Sequence, residues 1–184
     1  MKPKNLENLC FGGVEVWHEF IDLNRFKDHF KQAKIVDLSG LGLIHSTDFA
    51  LFSKFEEFEV GVESMEAEDV KRLRNDLSNS STFKKCIIRP PDSDRFENVA
   101  EIARALGKEN VPDEEILYVK HRCVIANSEE MLHFSIESYE IVVEKGDPIE
   151  LGPKYRDDFD FDYDWEDLGD EDPDLDVEQG DDDE

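Results

Sequence analysis

The amino-acid sequence predicts an α/β fold: a single domain with a mostly parallel or mixed sheet flanked by helices, followed by a disordered acidic tail. Three observations predict it. Short apolar runs of strand character alternate with stretches whose apolar residues recur at helical spacing, the order that builds strand–helix units. About 150 residues are enough for one hydrophobic core and cramped for two. The composition then changes: residues 154–184 hold 17 acids and two bases, against 30 acids and 19 bases in residues 1–153. The expected organisation is a domain over 1–145, a linker over 146–153 with its glycines and prolines, and an acidic, aromatic tail over 154–184.

The elements follow in order. "GGVEVWHEF" alternates as a strand, and Asp22 is placed to cap a helix with Leu23, Phe26, Phe30 and Ala33 on one face. "KIVDLSG" is a short buried strand ending in turn residues. Ser46 or Thr47 can cap a helix carrying Phe49, Phe52 and Phe55, and "FEVGV" alternates as the next strand. A third helix follows Ser64, with Val70, Leu73 and Leu77 as its stripe. "TFKKCIIRPP" is a strand stopped by prolines. The following helix, capped by Ser93 or Asp94, buries Phe96, Val99, Ile102, Ala103 and Leu106 and ends at Gly107. "EILYVKHRCVIA" is a strand with Leu117, Val119, His121, Cys123 and Ile125 on one side. "NSEEMLHFSIESY" fits a helix starting at Asn127–Glu130, and fits less regularly a strand through Leu132, Phe134 and Ile136; the helix is expected, then a strand "YEIVVE". No internal repeat is evident.

The net charge of −26 sets the function classes. Such a chain is repelled by nucleic acid and by anionic lipid, so direct DNA or RNA binding is not expected, and basic proteins are the natural partners. No apolar run is long enough to span a bilayer, and the N-terminus has no signal-peptide pattern. Three widely spaced cysteines, Cys10, Cys86 and Cys123, suggest reduced thiols, and the expected location is cytoplasmic.

"IVDLSGLGLIHSTDFALF" (Ile35 to Phe52) resembles the signature of STAS domains, the anti-sigma-factor antagonist family, in Asp37, Leu38, Ser39, Gly40, Ile44 and Ser46. Thr47 falls where the family has its second, often phosphorylated, hydroxyl; His45 and Asp48 depart from the family's Asp and Gly. The order strand–helix–strand after Cys86 is also similar to STAS/SEC14-type proteins, so the resemblance spans residues 14–140. It implies a small binding module without catalytic chemistry, in which Ser46 and Thr47 are a candidate phosphorylation switch for a regulatory partner. A phosphate there would meet the positive end of a helix; plain helix capping is the simpler role.

Candidate chemistry is sparse. The five histidines (His18, His29, His45, His121, His133) form no metal-protease motif and no CxxC exists. His121 and Cys123 share a strand face, but two ligands do not make a structural zinc site, and a hydrogen-bonded core histidine explains the pattern. Asp37 ends a strand, where α/β enzymes place acids, yet no phosphate loop or second catalytic group accompanies it. No cofactor, metal or catalytic residue is therefore expected. The basic clusters Lys71–Arg74 and Phe83–Lys85 are solvated faces or a dock for the chain's own tail.

The tail is the most informative stretch. Asp158, Asp160, Asp162 and Asp164 alternate with Phe159, Phe161, Tyr163 and Trp165. Extended, like side chains lie on one side about 6.6–6.8 Å apart, a row of carboxylates backed by a row of rings. A groove for single-stranded nucleic acid uses bases and aromatic platforms, so this segment has the chemistry of a decoy for it. Acidic tails are commonly only solvating, but those avoid exposed rings. The expectation is a non-enzymatic acidic inhibitor or regulator that engages a basic protein, such as a nuclease, toxin or other nucleic-acid-binding protein, through Asp158–Trp165. The alternative is the STAS-like signalling module.

Overall fold

A computed structural model describes residues 7–11, 19–91, 95–109, 111 and 118–147. The expected strand "GGVEVWHEF" lies mostly outside them, as do the linker from residue 148 and the tail. Eight strands form one mixed sheet: β1 (Asn8–Cys10), β2 (Ile35–Asp37), β3 (Leu43–Ile44), β4 (Glu57–Val62), β5 (Lys85–Arg89), β6 (Tyr118–Val124), β7 (Met131–Glu137) and β8 (Ile141–Gly146). The order is β1-β2-β4-β5-β8-β7-β6, with β3 pairing the end of β4. The first half, β1 to β5, is parallel, and β5, β8, β7 and β6 are antiparallel in turn. The α/β fold class with a mixed sheet is the one the sequence predicts.

A structural repeat, which the sequence does not announce, builds the parallel half. Leu9, Val36, Phe58 and Cys86 are register partners on successive strands, 27, 22 and 28 residues apart. Around them Ala33-x-x-Val36-x-Leu38, Phe55-x-x-Phe58-x-Val60 and Phe83-x-x-Cys86-x-Ile88 repeat one spacing. All of these residues are buried except Ala33, which packs on the core from its edge. This is the spacing of strand repeats of 20–29 residues that stack side by side as a solenoid. The unequal periods and the exchange of leucine for Phe, Val, Cys and Ile hide it from a search for identity.

Helices return the chain between these strands. Asp22 caps the first as expected, its Oδ1 accepting from the Asn24 N–H (3.1 Å), over a 3-10 turn Leu23–Phe26 and α1 (Lys27–Phe30). The next is a 3-10 turn Ser46–Asp48 and α2 (Phe49–Phe52). Then α3 (Ala67–Asn79) buries Val70, Leu73 and Leu77, its entry held by Asp69 Oδ2, which accepts from the Glu66 N–H (3.1 Å). Finally α4 (Val99–Ala105) buries Val99, Ile102 and Ala103 and stops near Gly107, whose φ of 97° an L side chain rarely adopts.

One expectation is overturned. Residues 131–137 are a strand, not a helix, and Leu132, Phe134 and Ile136 are buried. Asn127 and Ser128 start a hairpin turn: Asn127 takes a positive φ of 61°, and Ser128 Oγ accepts from the Glu130 N–H (3.0 Å). Short polar side chains bond nearby backbone in turns as readily as at helix starts, so the same letters serve both.

The core lies on one side of the sheet. Val36, Phe58, Cys86, Val143 and Phe134 form a continuous buried row across five strands. Phe52 contacts Phe30, Phe55 and Phe58, with ring centroids 5.4–6.1 Å apart, beneath the first two helices. Truncating this fully buried ring in Phe52→Ala is expected to cost about 3–5 kcal/mol in chemical denaturation. Leu51→Ala, one residue away and exposed, should stay within about 0.5 kcal/mol of the parent.

Candidate functional site

The opposite face of the sheet is not covered by these helices and is charged. Its central row runs Glu57, Lys85, Glu144, His133, Arg122 in register across β4, β5, β8, β7 and β6. Asp37, Glu59 and Glu57 put acids at the β2–β4 end, and Lys120 and Arg122 put bases at the β6 end. All are half-buried or exposed except His133, which is buried. The face is cross-linked by ion pairs: Lys85 Nζ to Glu144 (2.9 Å), and Arg89 between Glu59 and Glu140 (3.3 Å to the latter). Burial holds the His133 imidazole below its ordinary value; Arg122 adds to this and Glu144 opposes it.

At the β6 end a groove of about 660 Å³ wraps the sheet edge between α3 and the loop after α4. Arg74 on α3, with His121 and Arg122 on β6, lines it, and no carboxylate does so among the described residues. Asn75 and Asn79 add polar groups, and Val124, 78% exposed, presents an apolar rim. His121 Nε2 lies 3.0 Å from the Leu106 carbonyl oxygen, and Cys123 Sγ approaches the same oxygen at 4.0 Å. The two residues that share a strand face thus converge on the end of α4. Burial pushes the Cys123 thiol up to about 11, with Arg74 opposing. Among the described residues no cluster of three metal-ligating side chains occurs.

The other predicted residues scatter. Asp37 Oδ1 accepts from the Ser39 N–H (3.0 Å) and hydroxyl (2.6 Å), closing the turn after β2. Ser46 and Thr47 do not cap a helix: the residue before the turn is His45, with no side-chain cap, and α2 has only four residues. His45 instead stacks on Phe20, with ring centroids 4.1 Å apart. The tail residues Asp158–Trp165 lie outside the described residues. Of the basic clusters, Lys71, Arg72, Lys84 and Lys85 pair with Glu68, Asp69, Glu56 and Glu144, while Arg74 faces the groove. The groove joins α3 to β6 across the fold; its traces in the sequence were the cluster at Lys71–Arg74 and the pair His121 and Cys123.

A family model, the FTH domain, matches residues 1–109. The chain belongs to the FTH domain family. No curated protein and no solved structure matches it. The FTH assignment overturns the resemblance to STAS domains, so that resemblance no longer supports a signalling switch at Ser46 and Thr47. The physical reason is local: an aspartate closing a turn after an apolar strand, then Ser and Thr before phenylalanines, is chemistry that unrelated folds share. The FTH match ends after α4, yet β8, β7 and β6 continue the same sheet and carry Glu144, His133 and Arg122 of its charged row. No helix among the described residues is long and apolar enough to cross a membrane.

Because burial disfavours charging His133, the unfolded chain binds more protons than the folded one as pH falls below the ordinary histidine value of 6.5. Stability is then lost with acidification through that window. His133→Leu should make the loss shallower than in the parent, measured as denaturation midpoints from about pH 7 to pH 5.

Proposed function

We propose that the chain is a non-catalytic protein-binding protein that engages a basic partner. The observation that carries this is the one-sided sheet. One face is spent on the core, and the other presents ordered charge over strands β4 to β6. Repeat-built sheets of this kind offer extended surfaces to macromolecules. The charge of −26 selects the class of partner and speeds its encounter. The second element is the Asp158–Trp165 segment, whose alternating carboxylates and rings match a groove made for single-stranded nucleic acid. On this reading the protein inhibits or regulates a nuclease, toxin or other nucleic-acid-binding protein by occupying that groove.

The test is affinity capture from host lysate with the full chain and with a variant carrying Asp→Asn at 158, 160, 162 and 164. A basic protein should be retained by the parent, be released by moderate salt or by added single-stranded DNA, and be lost from the variant. Capture that is indifferent to the four substitutions, to salt and to DNA would sink the proposal.

A further inference from the structure

We infer that the groove at the β6 edge is the docking site of the chain's own Asp158–Trp165 segment, an intramolecular contact that competes with any outside partner of that segment. The inference rests on the groove and does not need the partner proposed above.

The groove is a local inversion of charge. Residues 1–153 carry 11 more acids than bases, yet the lining holds Arg74, Arg122 and His121 and, among the described residues, no carboxylate. Arg74 has no acidic partner among the described residues; it donates to Asn75 Oδ1 (3.4 Å). Its neighbours Lys71 and Arg72, by contrast, are held by Glu68 and Asp69. The Arg74 guanidinium beside an apolar rim suits a ligand with carboxylates on one side and rings on the other. Val124, among the most exposed large apolar side chains of the described residues, forms that rim.

The chain delivers such a ligand to this place. Gly146, Met131 and Val124 are in register across β8, β7 and β6. The polypeptide therefore leaves β8 about 10 Å from Val124, two strand spacings. β6 is the last strand of the sheet, with none on its outer side among the described residues. From Asp147 to Asp158 the chain can span up to about 36 Å, ample for the segment to enter the groove. A tether of this length holds it there at an effective concentration on the order of millimolar, so even a weak contact is populated.

Amide hydrogen exchange on the full chain tests this. In the parent, the amides of His121–Ala126 should exchange about tenfold more slowly than in the variant with Asp→Asn at 158, 160, 162 and 164, which leaves the folded domain untouched. Arg74→Glu, at a partly exposed helix position, should abolish the difference, and so should moderate salt. Equal exchange in parent and tail variant would overturn the inference. Protection that grows with protein concentration, with a doubled mass in light scattering, would overturn it in favour of a second copy's tail. Protection that survives Arg74→Glu would show that another part of the chain covers β6.

Discussion

The structure depends on one row of apolar side chains. Val36, Phe58, Cys86, Val143 and Phe134 run in register through both the parallel and the antiparallel halves, and all are buried. Side chains alternate along a strand, so a slip of one residue anywhere would push Glu57, Lys85 or Glu144 into the core. Burying an ion without compensation costs several kcal/mol, which makes the register close to obligatory. The same constraint creates the charged face: once one side is assigned to the core, the residues between must face the other way. Core and candidate binding surface are thus two consequences of one alternation.

The helices show how local signals and packing divide the work. α1 and α2 have four residues each, far below the length at which a helix is stable alone. Their phenylalanines hold them, since Phe30 and Phe52 sit against Phe55 and Phe58 on the sheet side. α3, with 13 residues and the Asp69 contact at its start, has more intrinsic support, and it is the element that reaches across to β6. That reach brings Arg74 beside His121 and Arg122, residues almost fifty positions away in sequence.

The charges of this surface are arranged. Acids gather on β2 and β4, bases on β6, with the Glu59–Arg89–Glu140 pairs between them. Such polarity orients an approaching partner as well as attracting it. A chain that also carries a strongly acidic aromatic segment must keep that segment from indiscriminate association. A basic groove near the end of β8 would do so while leaving it exchangeable.

Patterns set by neighbours in the chain were legible from the sequence alone: the α/β class, the Asp22 cap, the stripe Val70–Leu73–Leu77 and most strands. These depend on alternation, helical spacing and caps, which act over a few residues. The hairpin at Asn127–Ser128 was misread because its letters satisfy a helix start and a turn equally, and only pairing of Met131 with Val124 decides between them. The repeat of Leu9, Val36, Phe58 and Cys86 needed the register, because different apolar residues fill one role at unequal spacing. The STAS-like signature was local turn chemistry without the fold. The groove belonged to tertiary structure alone: like charges on α3 and β6 become one site only when the sheet edge brings them together.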